Sequence, residues 1–339
     1  MKKNLIILTC SCFLMVSCIK RKCPEPVSVA GDTPQTTCTH IVTKWNPEKS
    51  ISTNDLYTSF FINSTKGWAS GANGTILKTV DAGQNWSVQN SNTTQGIYAM
   101  YFLNDNLGYA TGGDPVSQGG VVLKTIDGGQ TWNVQLNITP PGRTIYFIDS
   151  NTGFVGGSNG SLVKTIDGGQ TWSTINSSIS GAIYKIQFID ATIGYLSGAK
   201  GEIYKTIDGG NSWTYLPTTM PTGLNDAYYS MSFISKDSGY VCGYSLTNNS
   251  GYLIKTVNGG QNWTYLASTA YYLLDIKMID MNTGYVVGGI NGSFGNILKI
   301  TNGTSWNIEQ TLPLQQTGLA RYGCNTISVG RGGSTIIGE

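Results

Sequence analysis

The chain has 339 residues, with 21 Lys and Arg against 19 Asp and Glu, and a formal charge of +2. Lys2 and Lys3 account for that surplus, and the balance that remains excludes a nucleic-acid binder driven by phosphate neutralisation. Only 12% of residues are charged, while 44 Gly and an aromatic share of 11% suit an extracellular β protein with a sizeable core.

Lys2 and Lys3 precede an apolar run from Leu5 to Val16 that ends Met15-Val16-Ser17-Cys18. A charged start, a short hydrophobic stretch and small residues before a cut make a secretory signal, and the run falls short of the roughly 20 apolar residues of a membrane span. A Cys directly after Ser17 resembles the bacterial lipobox, which implies cleavage after residue 17 and lipidation of Cys18. The expected location is the bacterial cell envelope, at the periplasmic side or the cell surface. Ordinary secretion with Cys18 as a spectator is the alternative. Residues 18–39 read as a disordered tether, because Lys20 to Lys22 and a Pro- and Thr-rich stretch offer little to bury.

The remainder, residues 40–339, is one unit repeated. Thr-Ile-Asp-Gly-Gly-Gln-Thr-Trp ends at Trp132 and again at Trp172, and close variants end at Trp86, Trp213 and Trp263. A Lys stands before each box, and a shortened copy ends at Trp306. Within a period the strand signals recur. In the third unit, strands are expected over residues 144–148, 153–157 and 161–166 and a fourth at Trp172, with Gly, Asn and Asp turns between. Four short strands per roughly 42 residues is the size of a propeller blade. Trp45 lies one period before Trp86 without a box of its own, and the residues after Trp306 supply three strand patterns. Hence the sequence predicts an all-β, seven-bladed β-propeller of four-stranded antiparallel blades. Its ring closes by pairing an amino-terminal strand with three carboxyl-terminal ones.

These boxes resemble the Asp-box (BNR) repeat, and with the recurring Phe147-Ile148-Asp149…Gly153-Phe154 pattern they resemble the photosystem II stability/assembly factor-like propellers. For photosynthetic members the resemblance implies a non-enzymatic assembly factor that holds a membrane-protein precursor. Only the scaffold and the style of binding are expected to carry over. Asp81, Asp127, Asp167 and Asp208 read as turn residues rather than catalytic acids, because Asn258 stands in the same place as a neutral acceptor.

A sialidase-like site needs three Arg, a Tyr/Glu pair and an Asp acid. Beyond the tether only Arg143, Arg321 and Arg331 are available, and Arg321 and Arg331 fall in one blade. A glycoside hydrolase or lyase of the Asp-box type stays as the rival reading, with Asp55, Asp114, Glu202, Asp226 and Asp275 as carboxylates outside the repeat. One His and few Cys argue against zinc and against a Ser-His-Asp arrangement, so neither metal nor cofactor is expected.

A binding face fits better. Loops vary at residues 113–118, 245–249 and 292–295, on the face opposite the boxes. Four residues before the Phe position stand Tyr57, Tyr98, Arg143, Tyr184 and Tyr229, with Leu274 sixth. Together with Arg331 they are candidate anchors for a protein or a glycan in the cell envelope, or else caps of the inter-blade core. The propeller is expected to be monomeric and to attach to the membrane through Cys18. Cys38 and Cys324 fall in the closing blade and are candidates for a disulfide, with Cys23 and Cys242 leaving other pairings open.

Overall fold

The computed structural model describes residues 42–338 except positions 43, 47, 115, 117, 176, 219–225, 291–292 and 323–324. Cys18, Cys38 and Cys324, and with them the lipidation and disulfide expectations, lie outside the described residues. Seven four-stranded antiparallel sheets are present, and no α-helix occurs among the described residues. From the inner edge outward, blade 1 consists of Leu56–Phe61, Gly67–Gly71, Ile76–Thr79 and Ser87–Gln89. The inner strands of blades 2 to 6 are Gly96–Phe102, Gly142–Phe147, Ile183–Phe188, Asp226–Phe233 and Tyr272–Met278. Blade 7 joins Gln316–Tyr322, Asn325–Gly330 and Ser334–Gly338 to the amino-terminal strand Lys49–Ser50, so the ring closes between the two ends of the chain.

The core lies between blades and is built from one recurring stack of rings. An aromatic residue of the second strand lies flat on the Phe that ends the next blade's inner strand. Trp68 stacks on Phe102 at 3.5 Å, Tyr109 on Phe147 at 3.8 Å and Tyr195 on Phe233 at 3.7 Å. The box Trp then meets that Phe edge-on, as Trp132 does Phe102 at 5.8 Å and Trp172 does Phe147 at 6.1 Å. The T-shaped pairs suit the ring quadrupole, and the flat pairs bury both ring faces between blades. A Gly opposite each Phe makes room for its ring; a Cβ at Gly108 would come within 2.4 Å of Phe102.

The boxes close the turns between third and outer strands. The Thr131 amide and hydroxyl both donate to Asp127, at 2.9 and 2.6 Å, and the Thr125 hydroxyl donates to it at 2.8 Å. Gly128 and Gly129 follow with φ of 71° and 93°, where a side chain would be strained. Asn258 repeats the acceptor role, taking the Asn262 amide at 2.9 Å.

The Lys before each box staples adjacent blades. Lys78 donates to the Gly128 carbonyl at 2.8 Å, Lys124 to Gly168 at 2.7 Å and Lys164 to Gly209 at 2.9 Å, each reaching the next blade's box. The same ammonium groups lie over the stacked rings, Lys124 being 5.4 Å from the centre of Tyr109.

Blade 7 departs from the pattern twice. Arg321 stands where the other blades carry Phe or Met, and Thr326 stands where they carry Gly; the guanidinium donates to the Thr326 hydroxyl at 2.9 Å. At the other change, no seventh box exists. The Tyr285 hydroxyl, whose counterpart in Tyr109 donates to a box Gly, instead accepts the Val42 amide at 3.1 Å, and Trp45 meets Tyr285 edge-on at 5.6 Å. Val42 and Trp45 thus fill the place of the missing box, on the same face as the others.

Candidate functional site

The face opposite the boxes is shaped by a defect repeated in all seven inner strands. Each slips its register by one residue, between Leu56 and Thr58 in blade 1 and at the matching place in blades 2 to 7. The skipped residues are Tyr57, Tyr98, Arg143, Tyr184, Tyr229, Leu274 and Thr317. A bulged residue leaves the ladder and its side chain is re-aimed. All the candidate anchors except Arg331 therefore occupy one structural position, at the mouth of the central channel.

The structure brings them together as two arcs. In the first, Tyr57 and Tyr98 stack with centres 5.3 Å apart, and the Arg143 guanidinium lies 4.9 Å from the centre of Tyr98. Arg331 joins this arc from the turn Arg331–Gly333 of blade 7. Its Nε donates to the Gln315 side chain at 3.1 Å and its Nη1 lies 3.6 Å from Asp55. Burial raises the pKa of the Tyr57 and Tyr98 hydroxyls above the ordinary value, making them weaker acids; Tyr98 and Asp55 add to the rise at Tyr57 while Arg331 opposes it, and at Tyr98 Arg143 opposes it while Asp114 adds to it. Both therefore stay neutral donors at physiological pH.

The second arc carries no charge. Tyr184 and Tyr229 have centres 5.2 Å apart, and Tyr244 stacks on Tyr272 at 3.8 Å. Burial pushes the Tyr229 hydroxyl well up, with Tyr184, Tyr272 and Tyr244 as the neighbours that add to it. Tyr244 and Tyr272 were not evident as site residues from the repeat, since Tyr244 lies in a second strand and Tyr272 opens an inner one. Their only signal is a surplus of Tyr beside the 245–249 insertion.

The carboxylates outside the repeat are engaged in holding the scaffold. Asp55 accepts the Gly332 amide at 2.8 Å as well as facing Arg331. Asp114 accepts the Val116 amide at 2.8 Å, and Glu202 accepts the Ser180 hydroxyl at 2.9 Å and the Gly181 amide at 3.2 Å. Asp226 is buried at the start of blade 5. Asp275 lies in the central channel, a cavity of about 520 Å³. There it gathers four blades, accepting the Ser230 hydroxyl at 2.5 Å and the Leu319 amide at 2.8 Å and facing Lys185 at 3.9 Å. Among the described residues no group of three or more His, Cys, Asp or Glu could hold a metal ion. Cys242 is buried in the second strand of blade 5, where burial pushes its thiol well up.

Set beside known proteins, the chain matches the family model described as photosynthesis system II assembly factor YCF48 over residues 37–146 and 171–271. No curated protein matches it. A solved structure of YCF48 bound to D1 peptide is similar at 18% identity and a TM-score of 0.67, covering 87% of this chain and 96% of that one. YCF48 from Cyanidioschyzon merolae is similar at 16% identity and 0.65, covering 87% and 99%. A GH74 enzyme of Niastella koreensis reaches 15% identity and 0.66, but the match covers only 53% of that chain against 86% of this one. At these identities the likeness to solved structures is one of fold.

Proposed function

The chain belongs to the photosynthesis system II assembly factor YCF48 family, and on that premise we propose that it is a lipid-anchored, non-enzymatic protein of the bacterial cell envelope that holds a protein segment against its bulge face. The observation that carries this reading is the arc Arg331, Tyr57, Tyr98 and Arg143, four side chains of the types favoured as binding anchors, contributed by four consecutive blades. The similar YCF48 structure has a D1 peptide bound, which supports a peptide as the kind of ligand. No feature of this chain points to a photosystem partner, so the scaffold and the style of binding are what carry over from that family. A glycan is the second candidate ligand, favoured by the neutral Tyr184, Tyr229, Tyr244 and Tyr272 arc, since Tyr also stacks on sugars.

A glycosidase would need two carboxyls about 5–10 Å apart and free to react. Asp55, the carboxylate nearest the cationic arc, is instead committed to Arg331 and Gly332. The test is capture from envelope extract with the wild-type protein and with Tyr98→Ala, set beside a glycan array. Loss of about 2 kcal/mol of binding, some 30-fold, is expected for Tyr98→Ala if it is a central anchor. Equal capture by both proteins would remove the bulge face from the account. Flotation of the native protein with membranes and an intact mass carrying acyl chains test the anchor separately.

A further inference from the structure

The box face carries an apolar feature that the fold does not use. Between the Thr and the Asp (or Asn) of each of the five full-length boxes stands Val80, Ile126, Ile166, Ile207 or Val257, and each is 62–72% exposed. Scattered exposed aliphatics are ordinary. Here, however, five consecutive blades place one β-branched aliphatic side chain at the same turn of the same face. The next residue in each full-length box, Asp or Asn, accepts a hydrogen bond within its own turn, while the aliphatic side chain before it stays exposed.

The same face is where the chain enters the propeller. Val42 and Trp45 fill the place of the absent seventh box, bound to Tyr285. Between Cys18 and Val42 lie 23 residues. If those residues form the tether their composition implies, a chain of that length spans roughly 27 Å end to end. An anchor at Cys18 therefore keeps the box face, rather than the bulge face, within about one tether length of the bilayer.

We infer that the box face rests on the lipid surface, with the five aliphatic side chains at the boundary between headgroups and acyl chains and the Tyr/Arg face turned away from the membrane. The box carboxylates Asp81, Asp127, Asp167 and Asp208 and the ammonium groups of Lys78, Lys124, Lys164, Lys205 and Lys255 both stand at these turns, so a face of mixed sign matches a zwitterionic rather than an anionic lipid surface. The inference rests on the anchoring reading of Cys18.

The test uses the full lipoprotein in phosphatidylcholine vesicles, compared with the Ile126→Thr, Ile166→Thr, Ile207→Thr variant, which keeps β-branching and the turn. Amide exchange is followed by mass spectrometry and corrected for intrinsic rates. The expected result is that residues 126–130, 166–170 and 207–211 exchange about threefold or more slowly in the wild type, while residues 72–74 and 158–160 on the other face exchange alike in both. Equal exchange at the boxes, or slowing on the opposite face, overturns the inference. Flotation reports the anchor independently: a chain that does not float removes the premise and the inference with it, whereas a chain that floats with unprotected boxes refutes the face alone.

Discussion

At the scale of single residues, the boxes show how one side chain type can be common in a sequence without being chemically available. Hydrogen bonds from Thr131, Thr171 and Ser212 hold the Asp127, Asp167 and Asp208 carboxyls down at about 2. A carboxylate depressed on folding contributes stability that is present above its ordinary value near 4 and is lost as pH falls through about 2. Box amides of blades 2 to 4 should therefore open between pH 4 and pH 2 in exchange measurements, while the turn at Asn258, which has no carboxylate to protonate, stays closed. The Lys staples make a second prediction. Lys124→Met keeps the stem over Tyr109 but removes the donor to the Gly168 carbonyl, and should lower unfolding free energy by about 1–2 kcal/mol in a denaturant titration. The Lys before each box was visible in the sequence, but its partner lies some 44 residues away in the next blade, and no local pattern names it.

At the scale of elements, strands and turns were largely legible because each blade alternates apolar residues between Gly, Asn and Asp punctuation. In the third blade the expected strands at 144–148, 153–157 and 161–166 correspond to Gly142–Phe147, Gly153–Gly157 and Leu162–Thr165. What the pattern hid was the one-residue slip in every inner strand. A bulge changes no composition, so the equivalence of Tyr57, Tyr98, Arg143, Tyr184 and Tyr229 could be seen by counting back from Phe, but not the reason for it. Blade 7 offers a test of how its elements are matched. Arg321→Phe alone meets the Thr326 side chain, and Thr326→Gly alone removes the hydroxyl that accepts from Arg321 Nη1. Each should destabilise, and the double variant, which restores the Phe-over-Gly pair of the other blades, should recover about 1–3 kcal/mol relative to the sum of the two. Additive effects in the double-mutant cycle would show that the two positions are not a unit.

At the scale of the whole molecule, the seven blades follow from arithmetic on Trp spacing, and the pairing of the two chain ends follows from the leftover strands. The sequence could not show how the seam is made, because the closing segment has no box to mark its turn. Val42 and Trp45 substitute for it through Tyr285. Trp45→Ala should therefore lower stability by about 2–3 kcal/mol, less than a fully buried Trp, since Trp45 is partly exposed. Thermal unfolding followed by circular dichroism would measure it. The seam itself is narrow. Among the described residues its ladder is Lys49 opposite Thr335 and Ser50 opposite Ser334, extended by the Trp45–Gly338 bridge, the Asn46 amide on the Ile337 carbonyl and the Ile51 amide on the Gly333 carbonyl. A chain held at its amino end and pulled at its ligand face would carry the load through this short zipper before any other blade felt it. The joint that turns a string of blades into a ring is also the place where tension would enter, and where the ring would first be unfastened.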